Sequence, residues 1–231
     1  MSNFTYAIAD LHGRFDLLQS ALERIENDSQ CGTVVFLGDY VDRGPQSRQI
    51  IERLMAGPSN GWRWVCLKGN HEVMMVDALQ EKSTGEAWIA NGGVATLESY
   101  SSEGHPLGNN TASGAHIKWL ECLPMIYADG DRIFVHAGVD PTRSIADQTE
   151  ATLLWRRWGR DEDYEHPAGH VVHGHTPFPK GPILLGGRTN LDTGAVKTGR
   201  LVVGVFDNAV PGGPVRFLEI ISEPAHKSRE G

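Results

Sequence analysis

Long hydrophobic runs are missing from these 231 residues. None approaches the ~20 consecutive apolar side chains of a membrane-spanning helix, so none is expected. Basic charge is also scarce, with 21 Lys and Arg against 29 Asp and Glu and a formal net charge of −8. That argues against nucleic acid or a membrane surface as a broad partner, though it leaves room for a local basic pocket. Cysteine is rare and odd in number. Cys31, Cys66 and Cys122 are widely spaced, which reads as three reduced thiols in a cytoplasmic protein. The opening "MSNFTYAIADLHG" has neither a basic n-region nor a long apolar h-region, so no secretory signal is expected. The composition is otherwise that of a globular protein, with 40% hydrophobic residues, 27 Gly and 12 Pro. A chain of this length buries a core without staples. One domain over 1–221 and a polar, mobile tail over 222–231 are expected.

Apolar periodicity places strands at 4–9, 33–37 and 62–67. They alternate with helices beginning near Phe15, over 47–56 and over 72–80. This β-α-β-α-β-α opening implies an α/β fold whose sheet is largely parallel and covered by helices. Helical pieces follow around Trp88–Leu97 and Ile117–Leu123, separated by "SSEGHPLGNNTASG". That polar loop lies either over a site or free on the surface. Short strands dominate thereafter, at 125–128, 132–135, 170–173, 183–185, 201–206 and 215–221.

The stretch "VVFLGDYVDRG", residues 34–44, sets Asp39 and Asp42 beside an apolar strand. Carboxylates there cost several kcal/mol unless they are paired or bind a cation. The other strands repeat the pattern. Asp10 and His12 follow the first, Asn70 and His71 the third, His136 the strand "RIFV" and His175 the strand "HVVHG". Residues past the carboxyl ends of such strands can converge at one sheet edge, where α/β folds bind ligands. The spacing of Asp10 and His12 puts both on one face if the backbone is extended. Asp, His and Asn without thiolate suit Mn, Fe or Zn.

"ADLHG", "GDYVDRG" and "GNHE", followed by "VHAG" and "HGHT", resemble the phosphoprotein phosphatase branch of the calcineurin-like metallophosphoesterases. "NGG" at 91–93, "LLWRR" at 153–157 and "LDTGA" at 191–195 are similar to its bacterial and phage serine/threonine phosphatases. The resemblance implies a sandwich of two mixed β-sheets flanked by α-helices, with two divalent transition-metal ions at one edge. Mn2+ is the first expectation, with Fe or Zn as alternatives. Asp39 would bridge the ions, Asp10 and His12 would hold one, and Asn70, His136 and His175 the other. His71 would be the general acid and Asp42 its carboxylate partner. Arg43, Lys68 and Arg157 would bind the substrate phosphate, with Arg156 as the neighbour most easily confused with Arg157. Lys68 departs from the family, which usually has Arg there, and keeps the charge without the planar fork. Ala9 and Ala137 stand where Gly is usual. His173 would be an outer-shell or structural residue.

The activity implied is dephosphorylation of phosphoserine and phosphothreonine in proteins, by direct attack of a hydroxide bridging the metals. The alternative is symmetrical hydrolysis of dinucleoside tetraphosphates at the same dinuclear site. That chemistry needs a nucleobase pocket, for which Trp88 and Tyr100 are the candidate aromatics.

Overall fold

The computed structural model describes residues 4–101, 104, 107, 108 and 113–222. Most of the polar loop at 101–114, and the tail beyond 222, lie outside the described residues. Three apolar runs form β1 (Phe4–Ile8), β2 (Gly32–Phe36) and β3 (Trp62–Cys66), alternating with α1 (Phe15–Asp28), α2 (Ser47–Ala56) and α3 (Asn70–Leu79). After α4 (Glu86–Trp88) comes a π-helical turn, Ile89–Gly93, then α5 (Val94–Ser101) and α6 (Gly114–Glu121). The second half carries β4 (Ile126–Ala128), β5 (Arg132–Val135), α7 (Glu150–Trp155), β6 (His170–His173), β7 (Ile183–Leu184) and β8 (Arg188–Asn190). It ends with α8 (Ala195–Thr198), β9 (Arg200–Asp207) and β10 (Arg216–Ile221). No helix among the described residues is long and apolar enough to cross a membrane.

Two five-stranded sheets result, in the orders β10-β9-β1-β2-β3 and β4-β5-β6-β8-β7. The first is parallel where the βα units predict it, from β1 through β3. It becomes mixed because β9 returns antiparallel along the free edge of β1. The two-residue period of a strand divides its side chains between two cores. Ala7 of β1, Val35 of β2 and Phe206 of β9 meet Phe134 and Val172 of the other sheet. Their alternates, Tyr6, Ile8, Val34, Phe36, Val203 and Val205, face the helices. The small Ala7 and Ala9 bring the sheets close, and Phe134 packs edge-on to Phe206 at 5.6 Å. Leu17, Leu18, Ala21, Leu22 and Ile25 line the buried stripe of α1. Ile133, Val135 and Val171 of the second sheet are covered by Leu153 and Leu154 of α7. Roughly 25 cal/mol per Å² of apolar burial makes these layers the main stabilising term. They also hold the carboxyl ends of β1, β2, β3, β5 and β6 at one edge.

Candidate active site

The turns after those five strands bring the predicted residues together. Asp39 sits in the middle. Its Oδ2 lies 3.4 Å from His12 Nε2, and its Oδ1 lies 3.4 Å from His136 Nε2. One carboxylate thus divides its oxygens between two histidine groups. His12, Asp39 and His71 offer ligand atoms within 4.8 Å of one another, and so do Asp39, His136 and His175. Asp10 turns its carboxylate to the backbone N–H of His175, at 3.1 and 3.2 Å. Gly174 permits this approach, since a Cβ there would come 2.1 Å from Asp10 Oδ1.

The local backbone differs from the extended geometry the Asp10-x-His12 spacing suggested. Asp10, His12, Asp39, Asp42, Arg43 and His175 have φ of +24°, +41°, +55°, +73°, +69° and +65°. Apart from Glu81, these are the only non-glycine residues with positive φ among the described residues. Left-handed turns, rather than a straight strand, aim the side chains inward. Such strain persists only where surrounding contacts over-determine it. Glu72 supplies several. Its buried carboxylate accepts the backbone N–H groups of Asp39, Tyr40 and Gly69, each at 2.8 Å, and that of Val41 at 3.3 Å.

Carbonyl partners assign the ring tautomers. His12 Nδ1 donates to the Val41 carbonyl at 2.8 Å, and His136 Nδ1 to that of Leu37 at 2.9 Å. Burial holds both histidines below their ordinary pKa, so both are neutral with the Nε2 lone pair turned inward. His136 Nε2 then faces Asn70 Oδ1 at 2.9 Å, His175 Nδ1 at 3.2 Å and Asp39 Oδ1 at 3.4 Å. Burial, and then His136, push His175 down to about 3, and its Nε2 has no hydrogen-bond partner among the described residues. Burial opposes the charge on Asp39, yet the surrounding histidines outweigh it and hold the carboxyl far below its usual range. Neutral imidazoles, an ionised carboxylate and an amide oxygen crowded together are electron-rich groups that a divalent cation would satisfy. The residues fit the expected metal pair.

His71 differs from these ligand-like histidines. Burial lowers its pKa, but Asp39 and then Asp42 outweigh that and leave it raised. Its Nδ1 lies 2.6 Å from Asp42 Oδ2, and its Nε2 is 3.9 Å from Asp39. Asp42 Oδ1 accepts from Trp88 Nε1 at 2.9 Å and from the Thr96 hydroxyl at 2.7 Å. The guanidinium of Arg43 spans His12 Nε2 at 2.6 Å and His71 Nε2 at 2.8 Å.

The other cations separate. Lys68 donates to the Glu121 carbonyl at 2.7 Å on an exposed rim, with no hydrogen bond or ion pair to the groups around Asp39 among the described residues. Arg156 folds back over Trp158 at 4.1 Å and pairs with Glu162 at 3.5 Å. Arg157 is exposed, and its charge reaches His175. His173 is buried beside Trp158, with its Nε2 3.2 Å from Arg188. The sequence motifs do not single out Glu72, Thr96 or Asp192 as site residues, and Trp88, a candidate nucleobase contact only under the alternative reading, is buried against Asp42. Glu72 had a signal, the third helical position after Gly69, where an acidic residue caps the backbone. Asp192 is buried and pushed up to about 6, by burial first and then by the charge on Asp39.

Comparisons with known proteins place the chain among phosphoesterases. The calcineurin-like phosphoesterase family model matches residues 5–204. Serine/threonine-protein phosphatase 2 of Escherichia coli strain K12 is 27% identical over 207 residues, covering 85% of this chain and 89% of that protein. A symmetrical bis(5'-nucleosyl)-tetraphosphatase of Neisseria gonorrhoeae strain NCCP11945 is 26% identical over 159 residues, covering 66% of this chain and 52% of that protein. A solved structure described as a candidate diadenosine tetraphosphatase superposes with a TM-score of 0.66 at 19% identity, over 96% of this chain and 95% of that one. That likeness bears on the fold alone.

Proposed function

The chain belongs to the calcineurin-like phosphoesterase family, and we propose that it removes phosphate from phosphoserine and phosphothreonine in cytoplasmic proteins. Two divalent ions, Mn2+ first, would be held by Asp10, His12 and the shared Asp39 on one side and by Asn70, His136 and His175 on the other. When bound they supply positive charge to the phosphate and lower the pKa of the attacking water to near neutrality. Arg43 grips the non-bridging phosphate oxygens with its planar fork, and Arg157 adds charge from the His175 side. As water oxygen bonds to phosphorus, the ester P–O bond breaks. His71 Nε2 gives its proton to the departing serine or threonine oxygen, while Asp42 holds Nδ1 and favours the protonated ring. Lys68 is the weakest member of the set, because its ammonium is engaged elsewhere.

The observation favouring a phosphoprotein over a dinucleotide is the position of the two candidate base-stacking aromatics. Trp88 is 4% exposed and spends its indole N–H on Asp42. Tyr100 is 0% exposed, with its hydroxyl 2.9 Å from His116 Nδ1. Neither presents a face to a nucleobase. One feature favours the dinucleotide reading: Trp155 is 45% exposed with its ring centroid 6.3 Å from that of His175. Measuring kcat/KM on phosphoserine and phosphothreonine peptides and on diadenosine tetraphosphate decides between them. Peptides are expected to be the better substrates. A tenfold or greater preference for the dinucleotide, about 1.4 kcal/mol in the transition state, replaces the phosphatase reading.

A further inference from the structure

Behind Asp42 and Arg43 runs a segment with no role in the chemistry so far, from α4 through the π-turn into α5. Trp88 and the fully buried Thr96 both aim their donors at one atom, Asp42 Oδ1, at 2.9 and 2.7 Å. The Thr96 hydroxyl also accepts the backbone N–H of Asp42 at 2.8 Å, and Ser47 Oγ accepts the same N–H at 3.1 Å. An aspartate carboxylate turns about a broad, nearly two-fold torsion, so one anchored oxygen would leave the other poorly aimed. Two donors on Oδ1 leave Oδ2 facing His71 Nδ1 at 2.6 Å.

The turn itself is built to bring this segment close. Gly92 has φ +108°, accepts the N–H of Arg43 at 3.1 Å, and would with a Cβ come 2.8 Å from Arg43 Cγ. A Cβ on Gly93 would lie 2.7 Å from the Trp88 ring. The bland account of a buried Trp and Thr is apolar packing. Packing does not require both polar atoms to converge on one carboxylate oxygen, and a buried donor is costly unless it finds a partner.

We propose that Trp88 and Thr96 are positioning residues for leaving-group protonation, setting the Asp42 carboxylate that orients the His71 ring. The inference rests on the reading of His71 as the acid. Its reach is confined to substrates whose leaving oxygen needs a proton, because misplacing a catalytic group by about 1 Å costs on the order of 10²-fold only where that group acts.

The test compares Thr96→Val, Thr96→Ser and Trp88→Phe with the parent, using a phosphoserine peptide and p-nitrophenyl phosphate. Valine matches threonine in shape without the hydroxyl, and serine restores the hydroxyl. Thr96→Val and Trp88→Phe should lose about tenfold or more in kcat/KM on the peptide and under about threefold on the nitrophenyl ester, with Thr96→Ser close to the parent ratio. Bound metal, measured alongside, should change little, and Tm should fall modestly because each of Thr96→Val and Trp88→Phe removes a buried hydrogen bond. The Nδ1–H proton resonance of His71 in the zinc-loaded protein, shifted downfield by its short bond to Asp42, should move in Thr96→Val and Trp88→Phe and return in Thr96→Ser. Equal losses on both substrates, or an unmoved resonance, overturn the proposal. If His71→Asn itself shows no leaving-group dependence, the acid assignment fails instead, and the resonance alone then decides whether the two residues orient the ring.

Discussion

The carboxylate of Glu72 accepts the backbone N–H of Asp39 at 2.8 Å, tying the first turn of α3 to the turn after β2. Glu72→Gln replaces one of two acceptor oxygens with a donor, facing backbone N–H groups that already have hydrogens. Leaving buried donors unpaired costs roughly 1–3 kcal/mol each. The variant should lose roughly 2–4 kcal/mol in urea unfolding and bind metal more weakly. Unchanged stability would show that water or a neighbour replaces the carboxylate.

Removing divalent metal should abolish phosphomonoester hydrolysis and lower Tm, and added Mn2+ should restore both. A site filled at 100 times its Kd contributes about 2.7 kcal/mol to stability. Full activity after verified removal of every transition metal contradicts the assignment of the site.

Asp39 and His71 should fail in different ways. Asp39→Asn removes the carboxylate shared by both histidine groups, and metal content measured after dialysis should fall. His71→Asn should keep its metal and lose about 10²–10⁴-fold in kcat on phosphoserine, less on p-nitrophenyl phosphate. Equal metal loss in the two variants means that His71 is a ligand.

The pH profile should report on Asp42. Burial lowers the pKa of His71, but Asp39 and Asp42 raise it more, so its folded pKa stands above the ordinary value. An acid must be protonated to act, so kcat/KM falls as pH rises through that pKa. Asp42→Asn deletes one raising charge, lowers the pKa, and should move the alkaline limb to lower pH. A limb that stays in place or rises shows that another group titrates there.

Arg157 and Arg156 are separable by KM. Arg157→Ala should raise KM for phosphopeptides several-fold, whereas Arg156→Ala should chiefly lower Tm, since its guanidinium lies 4.1 Å over Trp158. The reverse pattern would exchange their roles.

Much of this is legible in the sequence because β1, β2, β3, β5 and β6 are short, mainly apolar segments, each followed by a polar turn. β8 is not. Its residues, Arg188, Thr189 and Asn190, are polar yet buried. Arg188 is satisfied there by the carbonyls of Glu162 and Gly159, at 2.6 and 2.7 Å. The metal-ligand candidates lie side by side in the fold, yet left-handed turns at Asp10 and His12, not an extended strand, aim those two inward. Trp88 and Thr96 reach Asp42 across 46 and 54 residues of chain, a separation that no local pattern encodes. Those contacts exist only once α4 and α5 have docked.

The six left-handed residues of the site have a consequence for anyone trying to toughen this protein. Each non-glycine residue held there stores on the order of 1–3 kcal/mol, and replacing it with glycine or asparagine would release part of that. A heat-survival screen over random variants, run with divalent metal withheld, should therefore enrich changes at Arg43 and His175, yielding sturdier molecules without hydrolytic power. Selection for turnover is what opposes that drift. Screening for heat resistance alone would steadily erase the enzyme while appearing to improve it.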